Sequence, residues 1–167
     1  MTREEFENLP GIMFHGTKRR FTTFRATVAK DQQLGFGIHF TPDREFAALY
    51  GPIIIAAKLL INKLFDMDTL IRVGTPEFAM AQELYRGNRR VALYVDRGLT
   101  SIDFDVTSPS RAQRVLQAWG YDAVRYEAKY GTRSPYGPVW SRKAASFVVF
   151  GDDQIITYEK AVRLGMA

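Results

Sequence analysis

The chain has 167 residues, 46% of them hydrophobic, with 23 Lys and Arg against 18 Asp and Glu, a net charge of +5 and no cysteine. That length suits one domain burying roughly 70% of its unfolded surface, and the missing cysteine excludes disulfides and thiolate metal sites. The longest apolar run, Ile53 to Ala57 resumed at Leu59 to Ile61, falls short of the roughly 20 residues that span a bilayer, and Met1-Thr2-Arg3-Glu4-Glu5 lacks the plan of a signal peptide. A cytoplasmic protein is the expectation. The charge excess suits phosphate-bearing ligands or acidic partners but lacks the dense basic stripes of a dedicated nucleic-acid binder. Its two basic clusters are Lys18-Arg19-Arg20 and Arg86 with Arg89-Arg90.

Residues 3–9 predict a short helix ended by Pro10-Gly11. Ile12 to His15 predicts a strand, with Ile12 and Phe14 on one face and Met13 and His15 on the other. Residues 18–34 look like a loop anchored by Phe21 and Phe24. Gly37 to Thr41 predicts a second strand, with Ile38 and Phe40 opposite His39 and Thr41. Thr41-Pro42-Asp43 has the order of a helix start: threonine as N-cap, proline in the first turn, then an acid. The helix runs to Tyr50, where Phe46 and Tyr50 share a face, and Gly51-Pro52 ends it.

Ile53 to Leu64 predicts at least one strand. Thr75-Pro76-Glu77 opens another helix, ending near Gly87-Asn88, and Pro109-Ser110 opens a third, running through Trp119 to a Gly120 C-terminal cap. Tyr121 to Tyr126 predicts a strand. Residues 128–143, rich in Gly, Pro, Ser and Tyr, predict a loop, whose aromatic residues Tyr130, Tyr136 and Trp140, with Tyr126 just before it, grip a substrate or pack the loop. Ser146 to Phe150 and Gln154 to Tyr158 predict the last strands. Short strands interleaved with helices make an α+β domain.

The only two histidines, His15 and His39, each lie in or end an apolar run flanked by glycine, as in a pocket built by two strands. The order His15-Gly16-Thr17, Gly37-Ile38-His39-Phe40-Thr41, a helix ending Ala48-Leu49-Tyr50, and a late Ser146-Phe147-Val148-Val149-Phe150 strand followed by Gln154-Ile155 resembles the ADP-ribosyltransferase superfamily. It looks closest to the poly(ADP-ribose)-polymerase-like and diphtheria-toxin-like branch, and is similar to the small transferase domains of phage and mobile-element polyvalent proteins.

The resemblance implies an α+β domain of split antiparallel sheets spanning residues 1–167, with NAD as co-substrate and no metal. It implies that His15 hydrogen-bonds the adenosine-side ribose of NAD, that the Gly16 backbone and Thr17 hydroxyl hold the nicotinamide amide, and that Tyr50 stacks on the nicotinamide ring. Gly37, His39 and Phe40 complete the implied cofactor-binding set. The implied reaction is mono-ADP-ribosylation of a macromolecular acceptor, protein or nucleic acid, with release of nicotinamide.

Two residues depart from the family pattern. His39 stands where tyrosine is usual, and Ser146 stands where the late strand usually begins with glutamate. Breaking the nicotinamide–ribose bond passes through an oxocarbenium-like state, which a carboxylate stabilises. Losing one such contact typically costs about 10²–10³ in rate. Glu127, expected at the end of the Tyr121–Tyr126 strand, is the first candidate to supply the charge, ahead of Glu159 and Asp152. His15, His39, Glu127 and Ser146 are therefore the candidate catalytic residues. The alternatives are a degenerate module that holds NAD or ADP-ribose without chemistry or serves assembly, and an NAD glycohydrolase.

Overall fold

A computed structural model describes residues 1–25, 36–68, 71–86, 109–134 and 137–166. Among these residues the chain forms two sheets with helices on their outer sides. The first sheet is antiparallel and holds β1 (Ile12–Thr17), β3 (Ile53–Leu59) and β7 (Ile155–Thr157) in the order β1-β3-β7. The second holds β2 (Ile38–Phe40), β6 (Gly137–Val149), β5 (Ala123–Ser134) and β4 (Leu64–Asp66) in the order β2-β6-β5-β4. β4 runs parallel to β5, so the second sheet is mixed where an antiparallel one was expected. A parallel neighbour needs a connection of a dozen or more residues, and the chain from Met67 to Asp122 is long enough to supply it.

Period-2 alternation builds the layers. Met13, Ile55 and Ala57 face inward from the first sheet and meet Ile38, Phe40, Ala123 and Val149 of the second. The opposite face of the second sheet carries Val124, Tyr126, Ala144 and Val148. It is covered by α3 (Pro76–Leu84) and α4 (Pro109–Ala118), which add Met80, Leu84 and Leu116. Each such large side chain, fully withdrawn from water, contributes roughly 1.5–3 kcal/mol. The outer face of the first sheet, with Ile12, Ala56 and Ile156, is closed by Phe6 of α1 (Arg3–Glu7) and Ala161 of α5 (Tyr158–Arg163). Among the described residues no helix is long and apolar enough to cross a membrane.

Thr75 caps α3 as expected, its hydroxyl accepting from the Phe78 amide, with Pro76 in the first turn. The expected end of that helix near Gly87-Asn88 lies outside the described residues. Gly120 follows α4 at φ +80°, the left-handed conformation that a glycine cap provides. α2 (Arg44–Ala48) starts later than expected: Asp43, not Thr41, is its N-cap, its carboxylate accepting from the Phe46 amide at 3.0 Å. Thr41 is instead held in a main-chain bridge to Phe14.

The largest correction concerns residues 128–143. The described part of this stretch is not a loop but the continuation of β5 and β6, paired from Ala128↔Ala144 to Ser134↔Gly137. The register shifts between Tyr130 and Thr132, which places Gly131 at the irregularity, where a glycine is at home. Pro138 pairs near the far end of this arm, beyond the reach of β2, so no third strand needs its missing N–H. Tyr136 lies outside the described residues. The final expected strand is also shorter: β7 ends at Thr157, whose hydroxyl caps α5 by accepting from the Lys160 amide.

Candidate functional site

The two sheets touch at one main-chain bridge and then part. Phe14 N–H donates to the Thr41 carbonyl at 2.7 Å, and Thr41 N–H donates to the Phe14 carbonyl at 3.0 Å. Along a strand, N–H and C=O groups point to alternate sides. Because Phe14 points both groups at β2, Gly16 points both of its groups the same way, where β2 has already ended. Ile54, its partner across the ladder in β3, lies on the other side. The Gly16 N–H and C=O therefore open into the gap between the sheets.

That gap is a cleft of about 270 Å³, lined by Gly16, His15, His39, Tyr50, Tyr126 and Ser146 among others. A Cβ built on Gly16 would stand 1.7 Å from the Ala47 carbonyl oxygen, so only glycine lets β1 lie this close to α2. Gly51 does the same on the other side of the contact, where a Cβ would meet the Thr17 main chain at 2.2 Å. The two glycines seat the turn after α2 over the end of β1 and hold Tyr50 at the mouth. Tyr50 is 54% exposed, and its ring meets Phe46 edge-on, with centroids 5.5 Å apart.

His15 reaches inward. Its Nδ1–H donates to the His39 carbonyl at 2.8 Å, which makes Nε2 the acceptor nitrogen. No buried side-chain nitrogen or oxygen lacks a partner among the described residues, and Nε2 has none, so it stands open. The rings of Phe24 and Phe40 lie 5.4 Å from the His15 ring. Burial lowers the His15 pKa, with the His39 carbonyl pulling partly the other way. Beyond His15 a second cleft, of about 550 Å³, continues past Phe21, Phe24 and Arg25 to Gly37 and His39.

His39 differs: both its ring nitrogens are engaged. Nε2–H donates to the Phe36 carbonyl at 3.2 Å, and Nδ1 accepts from the Tyr126 hydroxyl at 3.2 Å. Burial pushes its pKa down to about 4, so the ring is neutral near pH 7. Tyr126, whose pKa burial pushes up to about 12, takes a hydrogen bond from Ser146, its direct cross-strand partner. Ser146 is 3% exposed. A directed chain results: Ser146 O–H to Tyr126, Tyr126 O–H to His39, His39 N–H to Phe36. Ser146 also lines the cleft, beside Tyr126.

The expected site residues thus divide. His15, Gly16, Thr17, His39, Phe40, Tyr50 and Ser146 line one cleft. Thr17 comes with its hydroxyl already donating to the Arg19 carbonyl at 3.1 Å, away from a ligand amide. Phe40 is core, packed between the sheets. Gly37 lines the second cleft and serves the backbone: it has φ +74°, and a Cβ there would meet Val148 Cγ1 at 2.3 Å.

Glu127 is not among the cleft residues. It lies in mid-strand, one residue on from Tyr126, so its side chain leaves the opposite face of the sheet, where it pairs with Lys143 at 2.9 Å. Asp152 binds the Phe24 amide and sits near Lys160, and Glu159 pairs with Arg3. None of the described residues lining the first cleft is an acid. Tyr126 is the functional candidate missed as part of the polar chain. The sequence marks it as a strand end and as one of the aromatics beside the expected loop, and the strand register that sets it beside Ser146 is a long-range property.

No protein-family model matches the chain, and no curated protein matches it. Among solved structures, one described as "Crystal structure of an anti-CRISPR protein" aligns with 87% of this chain and 93% of its own, at 14% identity and a TM-score of 0.45. A likeness that slight carries no argument about fold or function.

Proposed function

We propose that the chain has an ADP-ribosyltransferase-like fold that binds NAD, with the nicotinamide in the cleft beneath Tyr50, and that it transfers ADP-ribose to a protein or nucleic-acid acceptor. The observation that carries this reading is the unpaired main chain of Gly16. A carboxamide presents one donor and one acceptor side by side, and Gly16 turns the complementary pair, C=O and N–H, to the same side. Tyr50 supplies a flat apolar surface for the ring. The open His15 Nε2 accepts from a ribose hydroxyl, and the second cleft, with Arg25 at its side, takes the rest of the dinucleotide. The positive chain suits its pyrophosphate, and a cytoplasmic location is part of this proposal.

In the reaction the bond between the ribose anomeric carbon and the ring nitrogen breaks. Its electron pair leaves with nicotinamide, and an acceptor oxygen or nitrogen attacks the anomeric carbon and gives up its proton. The protein orients the two halves of the bond. The Ser146 oxygen, polarised through Tyr126 and His39, accepts a ribose hydroxyl but brings no full charge.

The absence of an acid from the described cleft lining favours a second reading, in which NAD or ADP-ribose is held without turnover or is hydrolysed slowly. One pair of measurements separates the readings: nicotinamide release from NAD, with and without cell lysate, and NAD binding by calorimetry. Release that rises with lysate and falls by roughly tenfold or more in His15→Ala supports the transferase. Release unaffected by lysate supports the glycohydrolase. Binding without release supports the module, and neither binding nor release rejects an NAD site altogether.

A further inference from the structure

Away from the cleft, the first sheet has a second opening. β3 runs from Ile53 to Leu59, but β7 covers only Ala57–Leu59 before the chain turns into α5. The parity set by the Phe14–Thr41 bridge fixes which groups are left over. Ile53, Ile55 and Ala57 point their main chain at β1, while Ile54, Ala56 and Lys58 point away from it. The Leu60 N–H donating to the Gln154 carbonyl at 2.8 Å follows the same alternation. Past the end of β7, the Ile54 N–H and C=O have no partner among the described residues. An uncovered strand edge of this kind is a template for another strand.

A groove of about 560 Å³ runs along this edge, lined by Ile54 with Phe21, Phe24, Tyr158, Arg20 and Arg163 among others. Its charges are unbalanced. Arg3 is neutralised by Glu159, and Glu7 by Arg44. Arg20 and Arg163, both exposed, have no carboxylate partner among the described residues. The groove therefore combines an open main-chain donor and acceptor, an apolar floor and two uncompensated cations.

We propose that this edge docks an extended acidic segment of a partner protein, which adds to β3 as a strand at Ile54. Main-chain bonds to Ile54 hold the segment in register, and alternate side chains divide between the apolar wall and Arg20 with Arg163. The charge selects the occupant: the same two arginines oppose a second copy of this chain, whose net charge is +5. The surface shares no residue with the Gly16 cleft but shares Phe21 and Phe24 with the second cleft, and the inference does not depend on NAD binding.

Fluorescence anisotropy of the full chain with labelled short peptides tests it. The probes are an alternating Asp-Val peptide, its Lys-Val counterpart, and the Asp-Val peptide with N-methyl groups along the edge that would face Ile54. The Asp-Val peptide should bind. The Lys-Val and N-methylated peptides should bind about tenfold more weakly or worse, as should the Asp-Val peptide with the doubly substituted Arg20→Glu, Arg163→Glu chain. Equal binding of the methylated peptide would reduce the effect to charge attraction and overturn strand addition. No binding of Asp-Val, or equal binding of Lys-Val or by the double variant, overturns the proposal, and so does self-association that blocks the peptide. The methylated probe needs no variant, so a folding defect in the double variant leaves the test decisive. All the peptide measurements are made without NAD, so the two proposals fail separately.

Discussion

His15 hydrogen-bonds the strand that carries His39, yet the two histidines are built for different tasks. His15 spends one nitrogen on the joint between the sheets, at the His39 carbonyl, and keeps the other open. His39 spends both, on Phe36 and Tyr126, and is held neutral by burial. One ring is an anchor with a free acceptor, and the other is a link in a closed polar chain. Residue type is the same in both, and what separates them is how many partners the surrounding main chain brings. A histidine in a pocket wall is a ligand group only while one nitrogen is uncommitted.

The open side of this pair depends on β1 lying against α2. Gly16→Ala should therefore have the largest effect. A methyl group 1.7 Å from the Ala47 carbonyl forces the two elements apart, costing about 3 kcal/mol or more in urea denaturation and removing any ligand affinity of the cleft.

The closed side should show itself through pH. The folded His39 pKa, about 4, lies below the ordinary histidine value of 6.5 that holds in the unfolded chain. The unfolded chain therefore binds the extra proton first as pH falls. Stability from this group is full above pH 6.5, declines as pH drops towards 4, and is level below that. The decline approaches roughly 3 kcal/mol. His15, also lowered, adds in the same direction. His39→Asn should flatten the pH dependence measured by denaturation, whereas an unchanged slope would assign it to other groups.

Tyr126→Phe cuts the chain between the two sides. It removes the donor to His39 and the acceptor for Ser146, and should cost about 1–3 kcal/mol. Freed from Tyr126, the Ser146 proton turns to the cleft, so affinity for a ribose hydroxyl should change while ring binding under Tyr50 stays. Comparing the binding of nicotinamide with that of NAD separates the two. The smallest effect is expected for Glu127→Gln. Its pair with Lys143 lies on the far face and is partly exposed, so the change should stay within about 0.5 kcal/mol. Nicotinamide release should not move, and a large loss of release would return Glu127 to the mechanism.

Much of the site's local grammar was legible. Alternation assigned Met13 and His15 to one face, and Ile38 and Phe40 to the face opposite His39, as the packed layers have them. Thr75-Pro76 and Gly120 marked helix ends through the local bonds that caps need. Thr41-Pro42-Asp43 misled because it holds two good caps, and the choice fell to Asp43 once the Thr41 main chain was taken by Phe14. The stretch 128–143 misled because Gly and Pro, depleted in strands as a rule, here sit in a long paired arm with an irregular register. Only the distant partner strand distinguishes such an arm from a loop.

By itself, then, the sequence determined the short-range facts: which residues alternate, where helices can start and stop, and that both histidines sit beside glycine in strand-like runs. Tertiary structure alone decided which side of its strand each group faces at the joint. Pairing Phe14 with Thr41 sends the Gly16 main chain into the cleft. Pairing Tyr126 with Ser146 builds the polar chain and turns Glu127 to the other face. A one-residue change of register would reverse both outcomes, and register is settled by contacts between residues far apart in the chain.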